Sequence, residues 1–479
     1  MIRDFISIYL PSYPTVLVYM LQSTEYEVKP YVKWVWRTKD FTGVMKRRTL
    51  HKTKAARALL LALRLGMLLE VIAGFVILYL GLSNDLTGGV GFGAALILAY
   101  PIVWAHLIIV PLALGRWFIN GPTNHHIIAA SEVIFANHPG VKIAVVGSYG
   151  KTTMKELLNT VLSEGLKVAA TPANKNVSSS HAKFAGKLQG DENVLIIEYG
   201  EGAPGDVKKF AQLTHPSHAV ITGVSPAHLD KYKTLHAAGK DIFSVAKYVN
   251  HENVYVNDES PESRPFIKKT YHLFDTKTAL GWKVDKIEAS LEGTSFNLTR
   301  GKQTLELKSG LVGQHQVAFL AFVAAFALEL GLTEDQVKAG IAKTKPFEHR
   351  MQPYRLADAW IVDDTYNGNL EGLRAGTKLL SDLTAKRKIY VTPGLVDQGE
   401  ETERVHVEAG KLIAAAHPDL VVLMQNSVTD FIKSGLKQAK FKGELRVEPK
   451  PLDFYTNLSH FVASGDLVVM QNDWTDNYA

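Results

Sequence analysis

From Leu86 to Gly115 the chain carries no Lys, Arg, Asp or Glu. Few structures can accommodate so long an uncharged run. At about 1.5 Å of rise per residue, a helix over it is long enough to cross a hydrocarbon core of ~30 Å. Leu65 to Leu82 just before it holds a single charge, Glu70, and the Ser83-Asn84-Asp85 link is short and not basic. A polar backbone in lipid must satisfy its own hydrogen bonds, so the predicted structure is a helical hairpin, with Pro101 kinking the second arm. The alternative is a hairpin buried inside a soluble fold. An earlier apolar run, Phe5 to Leu21, contains Pro11 and Pro14. It is too short and broken to be a third span, so it lies in the interface or packs on the hairpin. No compact small-residue cleavage site follows it, which argues against a signal peptide.

The charge pattern orients the hairpin. Lys29 to Arg57 contains ten Lys/Arg against the single acid Asp40, a local net of +9 in a chain whose total is +6. A nucleic-acid-binding protein spreads such charge over a folded face. Here it forms a strip directly before the apolar region, which indicates a membrane surface and no nucleic acid. With Arg116 after the second arm, the positive-inside rule places both flanks in the cytoplasm. Everything after residue 120 then shares a compartment with ATP. The absence of cysteine suits that location, and it excludes disulfides, thiolate metal sites and cysteine nucleophiles.

Past the hairpin, Val141 to Val146 (VKIAVV) reads as a strand and Met154 to Ser163 as a helix. Between them stands Gly147-Ser148-Tyr149-Gly150-Lys151-Thr152-Thr153. Strand, glycine loop and helix together form a phosphate-binding loop. The glycines admit backbone N–H groups to phosphate oxygens, and the helix N-terminus adds its positive end. Lys151 would neutralise the outer phosphates, and the Thr152 hydroxyl would ligate Mg2+. Val145 replaces the leading glycine of the general pattern, so the loop is a variant. Glu198 ends another apolar run, Asn193 to Ile197, and so sits at the carboxyl end of a strand, where open α/β sheets bind ligands. A carboxylate there can hold a phosphate-bridging magnesium ion. A third run, His218 to Ile221, leads into a turn that carries His228.

From about Val141 to the end, these segments resemble the Mur ligase family, in that family's order. Gly147 to Thr153 resembles its phosphate loop. Thr171-Pro172-Ala173-Asn174-Lys175-Asn176 resembles the segment whose asparagine, here Asn174, lies near the γ-phosphate. Glu198 and His228 match the magnesium-linked acid and histidine. Lys240, in Gly239-Lys240-Asp241-Ile242-Phe243, matches the lysine that becomes carbamylated and supports a second metal, at a spacing about two residues short. Gly313-Gln314-His315-Gln316 resembles a Gly-x-His-Asn, with Gln316 in place of the asparagine and Phe319 at a nucleotide-contact position. Phe347-Glu348-His349-Arg350 and Asp363-Asp364-Thr365-Tyr366-Asn367-Gly368-Asn369 resemble the branch that adds D-alanyl-D-alanine, with Arg350 and Asp364 reaching the ATP.

The charge and apolar patterns, together with the resemblance, predict an α/β chain in four parts. Residues 1–55 form a basic juxtamembrane segment and 56–120 a transmembrane hairpin. Residues 121–345 form a central ATP-binding domain, and 346–479 a smaller Rossmann-like domain. The alternation of short apolar runs with helical patterns predicts parallel sheets. The implied reaction forms an acyl phosphate from ATP and a substrate carboxylate, which an amine then attacks. Cofactors would be ATP and Mg2+. Partners would be a nucleotide- or lipid-linked cell-wall peptide precursor, an amino acid or dipeptide, and the cytoplasmic membrane. The segment where the family grips its uridine-diphosphate sugar is replaced by the hairpin, and the chain ends in Met470 to Tyr478 without the family's Lys-Gly-Ser-Arg-like segment. Two rivals stand beside this reading: a membrane-bound ATPase used as a switch or motor, and a catalytically weak scaffold of wall synthesis.

Overall fold

The computed structural model describes residues 6–24, 26–38, 41, 50–115, 121–172, 176–226, 229–366, 368–396, 398 and 401–472. The chain divides into two compact units, one up to His125 and one from His126 to Trp474.

In the first unit, helices α1 (Tyr13–Ser23) and α2 (Val28–Arg37) precede a long α3 (Lys54–Ser83), α4 (Thr87–Leu107) and α5 (Ile109–Gly115). Thr53 caps α3 by accepting the Ala56 N–H at 3.1 Å, which satisfies one of the free donors of the first turn. The arms α3 and α4 meet through glycines. A Cβ on Gly81 would lie 2.6 Å from the Val90 nitrogen, and one on Gly93 would lie 2.6 Å from the Leu78 nitrogen. Backbone therefore packs on backbone, and the large side chains point outward: Leu69, Tyr79 and Leu98 are each more than 60% exposed. Helix α4 continues past Pro101 and ends at Leu107. The interruption falls at Ile108, because Pro111 has no N–H to give the Leu107 carbonyl. The early apolar run packs on the hairpin: Leu17, Val18, Met20 and Leu21 are fully buried with Leu59 and Leu63 of α3. Tyr31 fastens α2 to α4 by donating to the Ala105 carbonyl at 2.8 Å. Among the described residues, Lys54–Ser83 and Thr87–Gly115 are long and apolar enough to cross a membrane.

The second unit is built on two sheets. The first runs in the order β10-β9-β8-β7-β6-β5-β4-β1-β3-β2. Strands β1 (Val141–Val146), β2 (Val168–Ala170), β3 (Val194–Glu198), β4 (His218–Ile221), β5 (Val254–Asn257) and β6 (His272–Phe274) pair in parallel. Strand β1 alternates as a two-faced strand must. Ile143 and Val145 enter the core beneath helix α6 (Lys151–Leu162), and Ala144 and Val146 enter the core on the other face. The other four strands, β7 (Thr278–Ala279), β8 (Trp282–Ser290), β9 (Gly293–Arg300) and β10 (Gln303–Ser309), extend the sheet antiparallel. The expectation of parallel sheets therefore needs correction here: the sheet is mixed. The links at Leu291-Glu292 and Gly301-Lys302 are too short for a crossover and can only return the chain antiparallel.

The second sheet has the order β11-β12-β16-β13-β14-β15. Strands β11 (Gln352–Leu356) and β12 (Ala359–Asp364) are antiparallel. Strands β13 (Arg387–Thr392), β14 (Leu420–Met424), β15 (Glu444–Glu448) and β16 (Asp466–Gln471) add in parallel. The two sheets share core: Val312 is buried among Leu373, Leu379 and Leu380 of the second, and Leu291 from the β8–β9 turn packs there too. Thr344 is tied back to the first sheet, its hydroxyl 2.7 Å from that of Ser309 and its carbonyl accepting the Gly310 N–H at 3.0 Å.

Candidate functional site

Strand β1 lies between β3 and β4, so the carboxyl ends of all three converge on the loop that follows β1. That loop turns at two glycines in left-handed conformations, Gly147 (φ 149°) and Gly150 (φ 68°). A side chain at Gly147 would strike the Thr222 hydroxyl, and one at Gly150 would strike the Phe319 ring. Thr222, directly after β4, bonds the Tyr149 carbonyl at 2.5 Å, and the Ser148 N–H reaches the Gly223 carbonyl at 2.9 Å. Gly150 is the N-cap of α6 and offers no side-chain acceptor. The first N–H groups of α6, from Lys151, Thr152 and Thr153, have no helical partner and point their partial positive charge into the loop. Ser148 Oγ is buried without a hydrogen-bond partner among the described residues. The Tyr149 ring covers Gly223 and bonds Ser260, and burial raises its phenol pKa.

Two lysines one turn apart on α6 meet two glutamates three residues apart at the end of β3. Lys151 Nζ lies 2.6 Å from Glu201 Oε2 and donates to the Gly147 carbonyl at 2.5 Å. Lys155, fully buried, lies 3.1 Å from Glu156 and 3.4 Å from Glu198 Oε2. The Thr152 hydroxyl donates to Glu198 Oε1 at 3.1 Å, and Asn176 Nδ2 lies 3.4 Å from the same oxygen. Behind the carboxylate the backbone is pinned on both sides. The Thr171 hydroxyl accepts the Glu198 N–H at 3.1 Å, and the ring of His181, on helix α7 (Ser178–Ala185), binds the Glu198 carbonyl at 2.9 Å. Burial of His181 lowers its pKa to about 4, which keeps the ring neutral.

The structure thus brings together Gly147, Ser148, Tyr149, Gly150, Lys151, Thr152, Thr153 and Glu198. Among the described residues Glu198 Oε2 is buried with no hydrogen-bond donor, and the Lys155 ammonium lies 3.4 Å from it. With the Thr152 hydroxyl alongside, it offers the hard oxygen pair that Mg2+ prefers. Asn174 and His228 lie outside the described residues. Lys240, on helix α8 (Leu235–Ile242), is exposed and has no hydrogen-bond or ion-pair partner among the described residues. Its neighbour Asp241 is tethered instead, accepting from the Tyr232 hydroxyl at 2.8 Å and the Gly205 N–H at 2.9 Å. The Arg350 guanidinium lies 4.3 Å over the Tyr366 ring. Asp364 accepts from Gln471 Nε2 at 2.7 Å and from the Met351 N–H at 3.1 Å. Desolvation pushes its carboxyl up to about 7, against those two donors and the Arg350 charge. Phe319, on helix α9 (Val317–Glu329), lies under Gly150. An apolar ring therefore lies against the phosphate loop.

Lys155, Glu201, His181 and Thr222 belong to this arrangement and are not evident from the motif alone. Lys155 had a signal, the spacing of four from Lys151, which puts both on one helix face. Glu201 and Thr222 had none, since their partners are distant in sequence.

Residues 145–327 match the Mur ligase middle domain. This chain carries that domain. The Mur ligase middle domain thus covers the phosphate loop, Glu198, Glu201 and helix α9. The chain is 26% identical over 294 residues to the UDP-N-acetylmuramoyl-tripeptide--D-alanyl-D-alanine ligase of Escherichia coli K12, covering 59% of this chain and 64% of that one. It is 26% identical over 349 residues to the enzyme of the same name from Mycobacterium tuberculosis H37Rv, covering 67% and 68%. The match to the Escherichia coli relative spans less than two thirds of its length. Among solved structures, MurF from Thermotoga maritima in complex with ADP aligns with a TM-score of 0.64 at 21% identity, over 73% of this chain and 80% of that one. MurF from Acinetobacter baumannii aligns with a TM-score of 0.64 at 19% identity, over 73% and 77%. These alignments establish the Mur ligase fold.

Proposed function

We propose that this chain is an ATP-dependent amide ligase of the Mur type, held at the cytoplasmic membrane by its N-terminal hairpin with the catalytic part in the cytoplasm. Its reaction joins D-alanyl-D-alanine or a related amine to the carboxylate of a cell-wall peptide precursor, nucleotide- or lipid-linked. The observation that carries this reading is the grouping of Lys151, Thr152 and Glu198 at the carboxyl ends of β1 and β3, within a matched Mur ligase middle domain.

The chemistry asks mainly for positioning and charge stabilisation. A carboxylate oxygen of the precursor attacks the γ-phosphorus of ATP, and the β–γ bond breaks to release ADP. The amine nitrogen then attacks the acyl carbon, phosphate leaves, and a proton is lost from nitrogen. Lys151 and the N–H groups of Gly147 to Thr153 balance phosphate charge during the first step. Thr152 and Glu198 are the residues that would hold Mg2+, with His228 and a carbamylated Lys240 expected beside a second ion. When bound, the metal neutralises phosphate oxygens. Arg350 and Asp364 would reach the nucleotide from the second sheet. Thr344 is tied to β10, so we place the pivot for such a closure just after it, where His349 (φ 59°) and Met351 (φ 46°) adopt left-handed conformations. We also propose domain limits near 121–345 and 346–479.

The deciding measurement is ADP release by detergent-purified protein, with muropeptide acceptors and either D-alanyl-D-alanine or single amino acids. Amine-dependent release is expected. Lys151→Ala should lower it on the order of a hundredfold or more, the cost of one charge-stabilising contact in a water-poor site. Release independent of any amine would instead indicate an ATPase switch, and no release at all a scaffold.

A further inference from the structure

We propose that Glu201 is a built-in competitor for the phosphate-loop lysine: its carboxylate holds Lys151 until the phosphates of a nucleotide displace it. This rests on the nucleotide-site reading above. Lys151 is seven-eighths buried and Glu201 only 5% exposed, so their 2.6 Å contact is poorly screened by solvent. The lysine's other partner, the Gly147 carbonyl, is also part of the loop. Both contacts use donors that an incoming phosphate needs.

Glu201 is held in place to do this. Its loop is fixed at the start by the Gly200 N–H on the Asn176 carbonyl at 2.9 Å. At the far end the Tyr232 hydroxyl reaches the Ala203 carbonyl at 3.1 Å, and Asp241 accepts the Gly205 N–H. The carboxylate is thus presented to the loop by a braced segment. The second pair behaves differently. Lys155 is fully buried between Glu156 and Glu198 and serves to hold Glu198, whereas Lys151 is at the loop and must change partners. An anion entering the loop meets the Glu201 charge as well as a lysine already engaged. Apparent affinity for nucleoside di- and triphosphates is then reduced by the fraction of protein in which Lys151 is held.

The test is ADP binding to the full-length, detergent-purified protein by calorimetry, in EDTA and again with Mg2+, for wild type, Glu201→Gln and Glu201→Ala. Both variants should bind ADP more tightly in EDTA, by about tenfold, within the usual range of coupling between two sites. The sign is the diagnostic feature, since loss of a merely structural residue loosens binding. Weaker binding by both variants, with thermal melts matching wild type, would make Glu201 a support of the bound state and overturn the proposal. Equal binding would overturn it too. If the wild type itself binds no ADP in either condition, the nucleotide-site reading fails and the proposal with it.

Discussion

Two stretches of this chain are apolar on every side, and they are covered in opposite ways. Helix α9 buries Val317 to Ala327, none of them more than 7% exposed. Its Phe322 stacks on both Phe274 and Phe326, and Phe322 and Phe326 pack against Tyr255, at centroid distances of 4.4 to 5.5 Å. The α3–α4 hairpin has similar composition, yet each arm hides only 22% of its most apolar window inside the protein. Its arms touch through Gly74, Gly81, Gly89 and Gly93, the small-residue contact that suits association in lipid, where apolar side chains gain nothing from one another. Composition alone therefore does not distinguish core from membrane. The two differ in length and cover: α9 is 13 residues, too short to span, and α3 is 30.

The largest effect expected from this contrast comes from placing a charge in each stretch. Ala324→Asp buries an unpaired carboxylate at a fully enclosed position and should cost about 3–5 kcal/mol, a large share of a typical net stability of about 5–15 kcal/mol, so the melt should fall well below that of wild type. ADP binding should vanish with the melt. Leu69→Asp, on a side chain 64% exposed, should leave ADP binding intact and instead weaken membrane retention, at about 3 kcal/mol for a carboxylate near mid-span. A wild-type melt in the first variant, or loss of ADP binding in the second, would break the comparison.

Next in size is the location of the second unit. Protease added outside intact cells should leave the region after residue 120 uncut, because the Lys29–Arg57 strip and Arg116 hold both flanks inside. High salt should not release the full-length protein, since its apolar contact with lipid is insensitive to screening. Digestion from outside would reverse the orientation, and release by salt alone would return the hairpin to the class of soluble cores.

What the sequence disclosed follows the same division between local and distant causes. The phosphate loop is a seven-residue pattern between two elements it defines, so it was legible residue by residue, as was Glu198 at the end of an apolar run. The pairing of Lys151 with Glu201, and of Lys155 with Glu198, depends on how β1 and β3 align, which no local pattern encodes. The antiparallel extension has a local signature: β10 alternates buried and exposed positions, and Gly293 and Gly301, both with positive φ, stand at the turns. Helix α4 continues past Pro101, whereas the interruption at Ile108 lies just before Pro111, which has no N–H for the carbonyl four residues earlier.

The smallest expected effect tests how fully the protein covers its own charges in the second sheet. Asp364 has a carboxyl raised from 3.8 to about 7 by desolvation, only partly offset by donors from Gln471 and Met351 and by Arg350. Between those two values the folded form keeps a proton that the unfolded chain has released. Its contribution to stability is therefore fully present below the unfolded value, falls as pH rises through that window and is gone above the folded value. The melting temperature of wild type should decline by a few degrees from about pH 5 to 8 on this account. Asp364→Asn cannot titrate, so it should lose this part of the slope. It should also be less stable by about 1–2 kcal/mol at pH 5, because an amide cannot accept from both Gln471 and Met351. The slope difference, rather than either melting temperature, is the measurement. Parallel pH profiles for the two proteins would mean that water reaches Asp364, and that this sheet covers its charges less completely than helix α9 is covered by the first.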